Sequence, residues 1–252
     1  MILEFIKMHG LGNDFVIINN IGNPHKRLST NDIKTLCHRN FGIGCDQLII
    51  MESCDVADCL MRIYNPDGSE SGACGNATRC VAKLLNLPTS TIRIGERTLR
   101  CTLHKGSGQV TVNMGPYSPS TSINALGCDG YFIDVGNPHF VYFVNDLDSY
   151  DVTRVGEKLE KCELFPNRAN INFVEIANGD SIKLRVWERG AGETLACGSG
   201  ACASAIIAHQ YKGLANQINV HLKGGTLGIT VQEQEVLMRG DTQKIFNGNY
   251  YK

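Results

Sequence analysis

Apolar and polar positions alternate at Leu60–Tyr64 and again at Ile182–Trp187, and each stretch reads as a β-strand. Each leads through a glycine-containing loop into Cys-Gly-Asn (74–76) or Cys-Gly-Ser (197–199), and a helix-forming stretch follows. The first helix is predicted from Asn76 to Leu85, stopped by Asn86 and Pro88. The second is predicted from Ser199 to Lys212, with Gly213 as its stop. Its segment ACASAIIA (201–208) is apolar nearly all round, the pattern of a helix wrapped by protein on several sides.

The resemblance between these two regions extends along the chain. RIYNPDGSESGACGN (62–76) aligns without a gap on RVWERGAGETLACGS (185–199), at an offset of 123. Arg62 falls on Arg185, Tyr64 on Trp187, Glu70 on Glu193, Ala73 on Ala196, Cys74 on Cys197 and Gly75 on Gly198. The same offset sets Gln47 on Asn170 and Glu52 on Glu175, and an offset of 124 sets Gly12-Asn13 on Gly136-Asn137. VNMG (112–115) also resembles LMRG (237–240). A colinear series of this kind marks an internal duplication. The expected fold is α+β: two homologous pseudo-symmetric domains, each a mixed β-sheet curled around a central helix. The domains are expected at 1–117 and 118–240, joined near Pro116–Cys128, with 241–252 returning to the first.

Composition narrows the partners. The chain has 252 residues, 42% of them hydrophobic, which is ample for a large core. The net charge is -1 from 24 basic and 25 acidic residues, and no basic run appears, so a nucleic-acid partner is disfavoured and a small polar metabolite expected. The longest apolar runs fall far short of the roughly 18 residues that suggest a membrane span, so no membrane partner is expected. The opening MILEFIKMHG is broken by Glu4 and Lys7 and does not read as an export signal. Eleven cysteines, an odd number, then read as reduced thiols of a cytoplasmic protein. A homodimer is compatible with the sequence.

Free cysteine usually acts as a small buried hydrophobe. That reading suits Cys37, Cys80, Cys101, Cys162 and Cys202, which lie on helix or strand patterns. Cys54 and Cys59 have no matching second pair, which argues against zinc. Cys74 and Cys197 differ, being equivalent in the repeat and each preceding a predicted helix and a glycine. Unpaired N–H groups and the helix dipole favour a negative charge there, and such a position is expected to bring a thiol pKa toward neutrality. The glycine lets a ligand approach the backbone. Duplicated domains can also set equivalent residues face to face across a pseudo-two-fold cleft. Two thiols so placed suit racemisation, with one removing an α-proton and the other returning one to the opposite face.

The segments MHGLGNDF (8–15), GIGCDQ (42–47), YNPDGSE (64–70), ACGNATRC (73–80), GNPH (136–139), RANINF (168–173) and ERGAGETLACGSGAC (188–202) together resemble the diaminopimelate epimerase family, in its order and over essentially the whole chain. The first cysteine motif departs from the common CGNGARC at Ala77 and Thr78, leaving Cys74, Gly75 and Asn76 intact. The resemblance implies conversion of LL-2,6-diaminopimelate to the meso form, in lysine and peptidoglycan precursor synthesis, without pyridoxal phosphate or metal. It implies that Asn13, Gln47, Asn65, Gly75, Asn76, Asn137, Asn170, Glu188, Arg189, Gly198 and Ser199 bind substrate. Of these, Asn65, Asn137, Asn170, Glu188 and Arg189 would hold the distal amino-acid end. His139 and Glu188 match positions that assist Cys74 and Cys197.

Rival readings stay open on the residues alone. A two-cysteine racemase of proline or hydroxyproline lacks a reason for the Glu188-Arg189 and Asn170 set. Isomerases of the same duplicated fold lack the cysteine pair. A thiol redox protein would show electron transfer without stereochemical activity. A binding module would hold diaminopimelate without exchanging its α-hydrogen.

Overall fold

The computed structural model describes residues 2–22 and 27–251. The chain divides into two compact units, the first running through Val112 and resuming at Gly240, the second being Asn113–Arg239.

In the first unit, β1 (Ile2–Gly10) pairs antiparallel with β2 (Asn13–Asn19), which runs parallel to β3 (Gln47–Glu52). β3 pairs antiparallel with β4 (Cys59–Tyr64), and β4 with the short β5 (Glu70–Ser71). β4 is also parallel to β6 (Thr89–Ile94), and antiparallel pairs carry the sheet through β7 (Arg97–His104) to β8 (Gln109–Asn113). Parallel neighbours require a crossover, and two helices supply it. α1 (Thr30–Cys37) lies between β2 and β3 in the chain, and α2 (Gly75–Leu85) between β5 and β6.

The second unit repeats this pattern strand for strand. β9 (Thr121–Ala125) pairs with β10 (Cys128–Asp134), and β10 with β11 (Pro138–Phe143). β11 is parallel to β12 (Asn170–Asn178), which pairs antiparallel with β13 (Ser181–Glu188). β13 takes the short β14 (Gly192–Thr194) antiparallel and β15 (Gln217–Leu222) parallel, followed by β16 (Gly225–Val231) and β17 (Val236–Gly240). The crossovers are α3 (Val152–Glu160) and α4 (Gly198–Lys212). Finally β18 (Gln243–Tyr251) pairs antiparallel with β1 in the first unit, as β9 does with β10 in the second. The expected α+β duplication is the fold.

Each unit wraps its sheet about one helix. α2 packs on β1, β6 and β7, and α4 touches β10, β11, β12, β13, β15 and β16. α4 buries every side chain from Ala201 to Ala208, which accounts for its lack of a polar face. On β2, Phe15, Val16, Ile17 and Ile18 are all buried. The strand is covered on both faces, so its sequence is continuously apolar rather than alternating. α1, capped by Ser29 and Asp32, packs Ile33, Leu36 and Cys37 into the cluster of Leu3, Phe5, Val16, Ile18, Leu48 and Ile50.

Both predicted helices start one residue early, at Gly75 and Gly198, and stop where expected. Asn86 and Gly213 turn left-handed, with φ of 55° and 70°, and their N–H groups close on the carbonyls of Ala82 and Ala208. The polar stretch Pro116–Cys128 is not only a linker. It contains β9, where pairing with β10 overrides a turn-rich composition. Cys37, Cys80, Cys101 and Cys202 are buried as expected, whereas Cys162 is half-buried after α3. Among the described residues, no group of three or more His, Cys, Asp or Glu is arranged to hold a metal, and no helix is long and apolar enough to cross a membrane.

Candidate active site

Both cysteines occupy the N-cap of a central helix, Cys74 on α2 and Cys197 on α4, each in extended backbone. The unmade N–H groups of the first helical turn therefore open beside each sulfur. Cys74 Sγ accepts from Ala77 N–H at 3.5 Å. Cys197 makes no such cap; its Sγ lies 3.6 Å from Ser199 Oγ.

In the first unit the expected site residues form two groups. Asn13, at the start of β2, places its Oδ1 3.8 Å from Cys74 Sγ and 3.2 Å from Asn76 Nδ2. Gln47, at the start of β3, donates from Nε2 to Asn65 Oδ1 at 3.0 Å. Asn65 in turn donates to Ser69 Oγ at 3.1 Å, across the tight Asn-Pro-Asp-Gly turn that follows β4. Gly75 supplies the first helical residue after the thiol.

In the second unit the expected residues form two groups as well, one around His139, Ser199 and Cys197 and one joining Asn170 to Arg189. His139, on β11 and fully buried, sets Nε2 3.0 Å from Ser199 Oγ and 3.2 Å from Asn137 Oδ1. Asn170 donates to Pro138 O at 3.0 Å and accepts from Arg189 N–H at 3.0 Å. The Arg189 guanidinium donates to Asn167 O at 2.9 Å. The Glu188 carboxylate accepts from Thr194 Oγ1 and acts on the Cys197 thiol.

Electrostatics correct one expectation. The helix N-terminus does not give Cys197 thiolate character. Burial, followed by the negative charge of Glu188, pushes its thiol well above the ordinary range. The Ser199 hydroxyl and the Gly200 backbone N–H beside the sulfur oppose this and are outweighed. Burial also pulls His139 down to about 4, against the raising effect of Asn172 and with a further lowering by Arg189. The imidazole is therefore neutral at physiological pH.

Several residues at this site carry no signal that single-sequence reasoning recognises. Asn172, fully buried, holds His139 Nδ1 at 3.3 Å and donates to Gly200 O at 3.2 Å. Glu160, buried on α3, accepts from Trp187 Nε1 at 2.8 Å and Gly190 N–H at 3.1 Å, and so grips the loop that carries Glu188 and Arg189. Asp46 accepts from Asn13 Nδ2 at 2.9 Å. The one available signal was position, since Asn172 lies in RANINF and Asp46 in GIGCDQ.

A family model described as diaminopimelate epimerase matches residues 5–119 and 131–245. The chain is 44% identical to the diaminopimelate epimerase of Acidiphilium cryptum (strain JF-5), over 97% of this chain and 95% of that one. It is also 44% identical to the diaminopimelate epimerase of Gluconobacter oxydans (strain 621H), over 98% and 99%. Among solved structures, a phenazine biosynthesis protein of the PhzF family from Bacillus anthracis superposes with a TM-score of 0.76, covering 100% of both chains. Sequence identity there is 15%, so that likeness is one of fold.

Proposed function

The chain belongs to the diaminopimelate epimerase family, and on that premise we propose how it acts: it converts LL-2,6-diaminopimelate to the meso form, with Cys74 and Cys197 as the proton-transferring pair. One cysteine, as thiolate, removes the α-hydrogen, and the other, as thiol, delivers a proton to the opposite face of the same carbon. The first is left protonated and the second deprotonated, so the reverse reaction runs with the roles exchanged. General acid–base help of this kind is worth roughly 10²- to 10⁴-fold. The product serves lysine and peptidoglycan precursor synthesis.

The observation that carries this reading is the cysteine at the same N-cap position of both repeated helices. A helix N-terminus favours an anion, so the substrate α-carboxylate, and the charge that develops as the proton leaves, have donors at hand. Cys197, kept protonated by burial and Glu188, is suited to act as the acid. Ser199 and His139 back it. For the distal end, Arg189 suits a carboxylate and the oxygens of Glu188, Asn170, Asn137 and Asn65 suit an ammonium. Asn13, Asn76, Gln47 and the backbone at Gly75, Gly198 and Ser199 complete the substrate-binding set.

The two-thiol route calls for neither pyridoxal phosphate nor metal, so a chelator or a carbonyl-trapping reagent should leave the rate unchanged. We place the reaction in the cytoplasm, on a dissolved metabolite rather than a nucleic acid, in keeping with the even charge balance. The deciding experiment incubates reduced protein with LL-diaminopimelate in D₂O. At early turnover the meso product should carry deuterium at one α-carbon only, and Cys74→Ala and Cys197→Ala should each abolish inversion. Inversion without deuterium, or full activity in either variant, sinks the proposal.

A further inference from the structure

Arg79 stands in the second turn of α2 with no solvent exposure, among the largest fully buried side chains described. Arginine keeps its charge in any protein environment, and burying a charge is costly unless specific partners offset it. Its guanidinium Nη2 donates to Asn76 Oδ1 at 3.0 Å.

That bond has consequences for Cys74. A guanidinium only donates, so the Asn76 amide must turn its oxygen toward Arg79 and its nitrogen away. The nitrogen meets Asn13 Oδ1 at 3.2 Å. At the far end, Asn13 Nδ2 meets Asp46 Oδ2 at 2.9 Å, and an ionised carboxylate only accepts. The row Arg79, Asn76, Asn13, Asp46 thus has a pure donor at one end and a pure acceptor at the other. Both amides between them are locked in direction, and Asn13 must present oxygen to the Cys74 thiol, 3.8 Å away.

The duplication isolates this role. At an offset of 123, Asn76 falls on Ser199 and Arg79 on Cys202, a small buried side chain. The second unit instead backs Ser199 with His139. At an offset of 124, His139 falls on the buried Phe15 of the first unit. Each unit thus supplies one buried nitrogen group behind the second residue after its cysteine, from α2 in one case and from β11 in the other.

We propose that Arg79 is a positioning residue for Cys74: its guanidinium orients the Asn76 amide, which together with Asp46 holds the Asn13 oxygen toward the thiol. The proposal rests on the reading of Cys74 as a proton-transfer group. In this chain of contacts Arg79 reaches the sulfur through Asn76 and Asn13. It takes effect at Asn76: without the guanidinium that amide is free to turn its oxygen onto Asn13 Oδ1, which sets two acceptors face to face and pushes Asn13 from its place between Asp46 and Cys74.

A double-mutant cycle tests it in the full chain, with Arg79→Met and Asn76→Ala made singly and together. Two rates are read, α-hydrogen exchange into D₂O and alkylation of Cys74 by iodoacetamide, followed by peptide mapping at one pH. Loss of a hydrogen bond to a charged group predicts a fall of roughly ten- to a hundredfold in exchange kcat/KM for Arg79→Met. Alkylation should slow as the buried cation goes. If Arg79 acts through Asn76, the double variant should be no worse than Asn76→Ala alone. Arg79→Lys, which keeps the charge without the planar fork, should restore part of both rates. Losses that multiply in the double variant, or unchanged rates in a folded Arg79→Met, overturn the proposal.

If Arg79→Met does not fold, Gly10→Ala takes its place in the cycle. The added Cβ would stand 3.1 Å from Arg79 Nη2 and 3.3 Å from Asn76 Cβ, displacing the pair while retaining the charge. It should slow both rates in the wild-type background and cost less once Asn76 is alanine, where, of its effects on residue 76, only the contacts with the backbone oxygen and Cβ remain; equal losses in both backgrounds refute the role. Alkylation requires no turnover. A wild-type protein that incorporates no deuterium would overturn the epimerase reading, while the alkylation cycle would still decide whether Arg79 governs Cys74.

Discussion

His139 Nε2 lies 3.0 Å from Ser199 Oγ, and the direction of that hydrogen bond is set from the other side of the ring. Asn172 commits its Nδ2 to the Gly200 carbonyl at 3.2 Å, so its Oδ1, 3.3 Å from His139 Nδ1, accepts. Nδ1 then carries the proton and Nε2 accepts; of its two neighbours Asn137 Oδ1, at 3.2 Å, has no hydrogen to give, so the Ser199 hydroxyl is the donor. Ser199 Oγ is left to receive the Cys197 thiol at 3.6 Å. A proton has a continuous path from sulfur through hydroxyl to imidazole.

Ser199→Ala breaks that path in the middle and leaves a buried imidazole nitrogen without its donor. An unsatisfied group of this kind costs about 1–3 kcal/mol. The variant should fold and lose roughly ten- to a hundredfold in kcat/KM for inversion. A kinetically normal Ser199→Ala would remove the hydroxyl from the proton path.

The neutral state of His139 has a consequence for stability. Its folded pKa, about 4, is depressed below the ordinary 6.5, chiefly by burial. As pH falls below 6.5 the unfolded chain takes up a proton that the folded chain refuses. The contribution is therefore complete above about pH 6.5 and is lost as pH falls through 4, amounting to roughly 3 kcal/mol. Urea midpoints measured between pH 7 and 4 should fall for the wild type and fall less steeply for His139→Gln. Parallel curves would show that His139 does not drive the acid destabilisation.

Much of this was readable in the chain because it depended on local pattern. The alternation at Leu60–Tyr64 and Ile182–Trp187 lies within β4 and β13, and the stops at Asn86 and Gly213 are left-handed caps. The equivalence of Cys74 and Cys197 survives folding because both cap helices. What escaped notice depends on contacts distant in sequence. Nothing in the sequence around Glu160 singles it out, and its role appears only when Trp187 and Gly190 close on it. Arg79 stands in a helix-forming stretch with no pattern that marks it as buried, yet folding buries it completely. For Cys197 the local rule, a thiol at a helix start, competes with burial and with Glu188, and burial prevails.

Gly156, in the middle of α3, lies against Trp187, the only tryptophan in the chain. A Cβ there would stand 2.6 Å from both Cβ and Cγ of Trp187, closer than real atoms approach. Gly156→Ala should therefore displace the indole, whose Nε1 donates to Glu160. Overpacking of this kind costs about 1–3 kcal/mol, more than the helix propensity gained. A shifted tryptophan emission and a lower urea midpoint should appear together. An unshifted spectrum with unchanged stability would show that α3 accommodates the methyl group.

Glu188 and Cys197 provide the sharpest test of the electrostatics, because two measurements on one variant should move in opposite directions. Burial is the first cause of the raised thiol pKa and the Glu188 carboxylate the second. Glu188→Gln keeps the shape and removes the charge, so the thiolate at Cys197 becomes less unfavourable and only burial still opposes it. The thiolate is the reactive form toward iodoacetamide. Alkylation of Cys197 should accelerate by something on the order of tenfold at mildly alkaline pH. Inversion of diaminopimelate should slow, since the carboxylate that assists the acid is gone. Loosening of the fold would also expose the sulfur, and Cys202 guards against that confusion. It lies on the same helix, fully buried, and should stay unmodified in both proteins. Faster labelling of Cys197 alone, with slower inversion, is the expected result. Equal labelling of wild type and Glu188→Gln would show that burial by itself keeps the proton on Cys197.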